Sequence, residues 1–170
     1  GGFGNDIIFG GMGDDIITDA GGINTIQGND GNDAIAVGGG ESLILGGRGK
    51  DFILAGIDLK EVFGGLDDDF IDAGSDASIV LGGEGDDWIE GSLGGDLLVG
   101  DNDHPFDGST IIGNDVLIGN SNGDRFIAEA GDDIMIGGEG ADRHEGGEGF
   151  DWAAYMDDNL GVTVDMTLKA

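Results

Sequence analysis

The chain has 170 residues, enough for one domain or for two short blocks of a single solenoid. Glycine supplies 39 of them and proline only one, which excludes collagen, while a hydrophobic content of 38% argues against simple disorder. With 36 acidic residues against 6 basic ones the formal charge is −30, so nucleic acid and anionic membranes are disfavoured and divalent cations are the natural counter-charge.

There are no cysteines, which removes disulfides and thiolate metal sites. The apolar runs are only two to four residues long, too short for a membrane-inserted helix. The chain begins Gly1-Gly2-Phe3 with neither Met nor a signal peptide, and reads as a segment of a longer protein.

An internal repeat of nine residues runs from the first residue. Gly10-Gly11-Met12-Gly13-Asp14-Asp15-Ile16-Ile17-Thr18 sets the frame, which returns at Gly46, Gly82, Gly137 and Gly146. Counted in nines, the eighth position reads Ile8, Ile17, Ile26, Ile35, Ile44, Ile53, Val62, Ile71, Val80, Ile89 and Leu98. A three-residue strand would point this residue inward and its two neighbours outward. The six preceding residues would form a turn whose glycines accept positive φ and let the backbone approach an ion. Each turn reverses the chain, so two repeats make a coil of 18 residues, and stacked coils make two parallel sheets with strands about 4.8 Å apart. The predicted fold is therefore all-β, a parallel β-roll or right-handed β-solenoid.

This pattern resembles the RTX (repeats-in-toxin) calcium-binding nonapeptide family, over residues 1–99 and roughly 110–154. The resemblance implies calcium held between successive turns by backbone carbonyls and the sixth-position aspartate. Spacing agrees: an ion midway between turns about 4.8 Å apart reaches both with calcium–oxygen bonds of about 2.3–2.6 Å.

In residues 1–99 the sixth positions of the even repeats are Asp15, Asp33, Asp51, Asp69 and Asp87. Those of the odd repeats are Asp6, Asn24, Ser42, Lys60, Ser78 and Asp96, in turns that have lost many glycines. This predicts calcium along one edge and metal-free turns along the other, with Lys60 placing a cation where the ion would sit. The alternative, that both edges bind and the odd one uses weaker ligands, stays open. Asp6 and Asp96, at the ends of the poor edge, are not expected to be strong ligands.

The frame breaks at Gly100–Ser109, a ten-residue stretch in place of a nine-residue repeat, so residues 100–112 are expected to bulge as a loop. It lacks the ligand spacing of an EF-hand, and its His104 is assigned no role. The frame resumes in a second block, 113–154, with Asp115, Asp133 and Asp151 on one edge and Asp124 and Asp142 on the other. The turn glycines expected to build the backbone part of the sites are Gly11, Gly13, Gly31, Gly47, Gly49, Gly65, Gly83, Gly85, Gly131, Gly138, Gly140, Gly147 and Gly149. Gaps between same-edge aspartates give about seven calcium ions.

The inward position of the second block reads Leu117, Phe126, Met135, His144 and Ala153. His144 reads as a partly exposed capping residue in preference to a ligand or pH switch. Residues 155–170 drop the repeat, and Val162, Val164 and Met166 alternate with polar residues as in a capping strand. Gly149-Phe150-Asp151-Trp152-Ala153-Ala154-Tyr155 followed by Gly161-Val162-Thr163-Val164-Asp165 is similar to the stretch that closes RTX arrays in secreted bacterial haem peroxidases, which implies a large secreted parent.

The outward positions of the first eleven repeats are apolar in 16 of 22 cases, among them Phe52, Leu54, Phe63, Phe70 and Trp88. Such a surface is expected to meet a neighbouring domain of the parent or a second copy. Nothing in the chain suggests a catalyst: there is no Gly-x-Ser-x-Gly elbow, no His-Glu-x-x-His motif and no phosphate loop. The sequence therefore reads as a calcium-dependent folding module, and the resemblance to the RTX family implies a parent protein secreted by a type I system to the cell exterior or cell surface. The runner-up is an adhesion or self-assembly module that uses its apolar faces.

Overall fold

The computed structural model describes residues 1–101 and 112–155. The expected loop residues 102–111, His104 among them, and the expected capping strand with Val162, Val164 and Met166 lie outside the described residues.

The described chain forms sixteen strands in two eight-stranded parallel sheets. One sheet stacks, in order, β1 (Ile7–Met12), β3 (Thr25–Asp30), β5 (Ser42–Arg48), β7 (Lys60–Leu66), β9 (Ile79–Glu84), β11 (Leu97–Asp101), β13 (Arg125–Ile127) and β15 (Arg143–Glu145). The other stacks β2 (Ile16–Gly21), β4 (Ala34–Gly39), β6 (Phe52–Leu54), β8 (Phe70–Asp72), β10 (Trp88–Glu90), β12 (Val116–Ile118), β14 (Ile134–Ile136) and β16 (Trp152–Ala154). Successive strands alternate between the sheets, so the chain winds as a parallel β-solenoid, as the repeat predicts.

The inward residues fill the space between the sheets. Ile26, Ile44, Ile53, Val62, Ile71, Val80, Ile89, Leu98, Leu117 and Phe126 are all fully buried, in one continuous core. The outward neighbours stay partly open, with Phe52 46% and Trp88 43% exposed. Each coil contributes only two large apolar side chains, so no coil is stable alone. Burial is completed by the coil above and the coil below.

Register explains the interruption. Within the first block partners lie 18 residues apart, as in Ile26↔Ile44 and Ile35↔Ile53. Across it they lie 28 apart, as in Ile89↔Leu117 and Leu98↔Phe126. The difference of ten means that the extra residues sit inside a single turn and do not stand in for a repeat. The strands before and after the interruption therefore pair directly, and sheet and edge assignments carry through unchanged.

Candidate metal centres

Eight predicted aspartates form one column along one edge: Asp15, Asp33, Asp51, Asp69, Asp87, Asp115, Asp133 and Asp151. The backbone N–H of each donates to Oδ1 of the next, one coil on. The distances are 2.8, 2.7, 2.8, 2.8, 2.9, 2.8 and 3.3 Å down the column. The Asp87–Asp115 link spans the interruption, so the two blocks share one column. Oδ2 of the first seven aspartates is buried and has no hydrogen-bond partner among the described residues. Asp124, on the opposite edge, repeats the arrangement: its N–H donates to Asp142 Oδ1 at 3.0 Å and its own Oδ2 is orphaned.

What surrounds these oxygens is peptide backbone. A Cβ added to Gly46 would lie 2.3 Å from Asp51 Oδ2 and 2.5 Å from the carbonyl oxygen of Gly64, one coil on. Gly28, Gly64, Gly82 and Gly100 repeat this, with Asp33, Asp69, Asp87 and Asp115 Oδ2 at 2.1–2.3 Å and the next first-position carbonyl at 2.5–2.8 Å. In these five turns the first glycine thus keeps open a cradle where a carboxylate oxygen and a carbonyl oxygen converge, whereas Ala128 stands at that position in the Asp133 turn. The thirteen glycines expected from the sequence occupy second and fourth positions, and all have positive φ, from 92° to 151°. They shape the turn. The first-position glycines, which line the cradle, were not among them, although Gly10, Gly28, Gly46, Gly64, Gly82 and Gly100 recur at intervals of 18 in the sequence.

The opposite edge is built differently over residues 19–96. Its sixth-position side chains Asn24, Ser42, Lys60 and Ser78 are donors, and they turn onto fourth-position carbonyls. Asn24 Nδ2 donates to Gly22 O at 3.2 Å, Ser42 Oγ to the same oxygen at 3.4 Å, and Ser78 Oγ to Asp76 O at 2.9 Å. Lys60 is fully buried, and its ammonium donates to the carbonyls of Gly40 at 2.6 Å, Asp58 at 3.2 Å and Ile57. Burial lowers its pKa, against the pull of Asp58 and Asp76. Asp96 does have an aspartate one coil on, Asp124, whose Oδ1 accepts its N–H at 2.8 Å. Its carboxylate is nonetheless satisfied internally, by Ser78 N–H at 2.7 Å and by the N–H and hydroxyl of Ser92 at 2.6–3.0 Å. Asp6 donates its N–H to Asn24 Oδ1 at 2.8 Å.

His144 stands apart from both columns. Its ring stacks on Phe126 with centroids 4.6 Å apart and meets Tyr155 edge-on at 4.7 Å, and burial lowers its pKa. It packs as an aromatic at the last core layer.

Burial raises six of these aspartates, with neighbouring carboxylates adding to the effect and the accepted N–H opposing it. Asp69, Asp87 and Asp115 are pushed up to about 8, Asp124 to about 7, and Asp51 and Asp133 to about 6. Each such group needs either a proton or a cation. Among the described residues no three His, Cys, Asp or Glu side chains converge. Any ion would therefore rely on one or two carboxylates and peptide carbonyls, a hard, all-oxygen set that suits calcium and does not suit zinc or copper.

Parallel coils that bury donor-less carboxylate oxygens turn after turn along one edge define a cation-binding β-solenoid of non-catalytic, structural type. The family model for the RTX calcium-binding nonapeptide repeat (4 copies) matches residues 1–26, 9–44, 27–58, 63–98, 111–143 and 118–153, and the chain belongs to this family. Its repeats bind calcium in a β-roll. No curated protein and no solved structure matches the chain, and the likeness of the C-terminal block to haem peroxidases gains no support from these comparisons.

Two outcomes follow from this geometry. Folded-state pKa values near 6–8 lie above the unfolded value of about 3.9. Without a cation, the contribution of these groups to stability is therefore full below pH about 4 and is lost as pH rises through 6 to 8. Circular dichroism in EDTA should show β structure gained on acidification from pH 8 to 5; equal signals at both would contradict the column's environment. On the other edge, Lys60→Met keeps the stem and removes the ammonium, leaving carbonyls unsatisfied. Denaturation in calcium should show a loss of at least about 1.5–3 kcal/mol, and an unchanged midpoint would mean that the ammonium is dispensable.

Proposed function

We propose that the chain is a calcium-dependent folding module of a larger secreted bacterial protein. The observation that carries this is the set of eight buried Oδ2 atoms, seven on one edge and that of Asp124 on the other, each lacking a donor. Calcium would sit in the gap beside each, held by that aspartate, its neighbour one coil on and the first-position carbonyl. The Asp87–Asp115 link adds one gap to the seven counted from sequence, giving eight ions. On the donor edge, residues 19–96 would stay metal-free, because Asn24, Ser42, Lys60 and Ser78 already satisfy the carbonyls.

The consequence is a switch set by calcium concentration. A chain carrying −30 charges and 39 glycines has strong self-repulsion and a high entropy cost of ordering, so the metal-free form is unfolded at neutral pH. Binding supplies the missing folding energy. Such a chain passes unfolded through a type I exporter and coils on meeting millimolar calcium outside, which places the protein outside the cell or on its surface. Far-UV circular dichroism at pH 7.5 should change from disordered to β on adding calcium and back on chelation. Full β signal in EDTA would overturn the reading.

A second role is favoured by the outer face of the sheet β2–β16. Its leading outward column reads Ile16, Ala34, Phe52, Phe70, Trp88, Val116, Ile134 and Trp152 without one polar residue. Phe52 and Phe70 stack with centroids 4.9 Å apart. A continuous apolar stripe of this kind suits contact with another copy or a neighbouring domain. Sedimentation in calcium should show concentration-dependent association that Phe52→Ser/Trp88→Ser removes. A monomer at all concentrations would rule out self-assembly.

A further inference from the structure

One carboxylate beside the aspartate column belongs to no repeat position that carries aspartate. Asp101 occupies the second position of its turn, where the other coils on this edge have Gly11, Asn29, Gly47, Gly65, Gly83, Glu129 and Gly147. It pairs in register with Gly83 and is 1% exposed. Its Oδ2 accepts the N–H of Gly113 at 3.3 Å and that of Ala130, one coil on, also at 3.3 Å. Gly113 lies two residues before Asp115, and Ala130 three before Asp133. The side chain therefore bridges the two turns that hold those aspartates.

Its other oxygen, Oδ1, is buried without a partner among the described residues, and so is Oδ2 of Asp115 in the same turn. The gap also holds the Ala128 carbonyl, which lies 2.8 Å from where a Cβ on Gly100 would sit, with Asp115 Oδ2 at 2.1 Å from that point. The negative charge of Asp101 helps to raise Asp87, Asp115 and Asp133, so it lies within electrostatic reach of all three. Every other gap on this edge strands one carboxylate oxygen; this one strands two. Two protons or one divalent cation would neutralise them, and at neutral pH a single ion touching both costs least.

We propose that Asp101 is a calcium ligand outside the nonapeptide pattern, giving the gap that holds Asp115 Oδ2 a second carboxylate with an unengaged oxygen and making it the tightest calcium position of the roll. The proposal rests on the reading that the column binds calcium. Affinity of oxygen sites for calcium rises with the number of charged ligands, and Asp101 is held in place by two N–H groups before any ion arrives. Because Gly113 closes the interrupted turn and Ala130 lies one coil on, filling this site fastens the second block onto the first.

Calcium titration of the whole chain, by calorimetry with chelator competition, tests it. In Asp101→Asn one ion, the tightest, should bind about tenfold or more weakly while the remaining ions keep their constants. Asp51→Asn should instead remove an ion from the weaker group. Unchanged constants in Asp101→Asn overturn the proposal. Should that variant fail to fold, crystals of the unaltered chain grown in calcium decide by anomalous scattering. A peak within about 2.3–2.6 Å of Asp101 Oδ1 supports the assignment, and a filled gap with Asp101 turned away overturns it. A wild-type chain that binds no calcium would sink the folding-module reading itself, a result distinct from losing Asp101 alone.

Discussion

Each coil closes a peptide N–H onto one oxygen of an aspartate in the next coil and leaves the other oxygen inside the gap with nothing to donate to it. Removing a carboxylate from water costs several kcal/mol even after relaxation, and eight such groups recur along the roll. A domain of this size is stable by only about 5–15 kcal/mol. The sum cannot be absorbed by a core of two large side chains per coil. At neutral pH these oxygens call for a proton or a cation, and the all-oxygen cradle suits a hard divalent ion. The glycines, the parallel stacking and the acidic composition are all consequences of holding carboxylates at that spacing.

The two edges solve the same backbone problem in opposite ways. Tight turns stacked about 4.8 Å apart aim carbonyl oxygens into the gaps between coils. One edge leaves them for an external cation. The other supplies donors covalently, through Asn24, Ser42, Lys60 and Ser78. Lys60 carries this furthest, since its buried ammonium draws on carbonyls of two successive coils. The division confines most of the orphaned carboxylate oxygens to one edge, and every coil includes both edges.

Much of this was legible in the residues. A period-two strand inside a period-nine repeat specifies which side chain points inward, and the core follows it from Ile17 to Met135. The contrast between Asp15–Asp87 and Asn24–Ser78 separated the edges, because acceptor-only and donor side chains cannot do the same work. Three features escaped. The phase across the interruption depends on whether ten residues replace a repeat or enlarge a turn, and composition cannot distinguish those. The first-position glycines were overshadowed by those needing positive φ, since their requirement is space beside Oδ2 and not a special dihedral. Asp101 looked like part of an irregular acidic loop, and only the N–H groups of Gly113 and Ala130 reveal where its carboxylate is held.

The interruption also shows what the fold will tolerate. An extra stretch placed within a strand would shift side-chain alternation and turn the core residue outward. A whole extra repeat would move every later strand to the opposite sheet and place Asp115 below Asp96 instead of Asp87. Ten residues inside one turn do neither, because Ile89↔Leu117 and Leu98↔Phe126 keep their sheets and Asp87 still reaches Asp115. The loop ends must then be brought together, and Asp101 does so by accepting the Gly113 N–H across them. Length variation in such a solenoid is confined to the connections between strands by the core register and the aspartate column. It is admissible only where a substitute for the missing turn contacts is at hand, and here that substitute is a carboxylate.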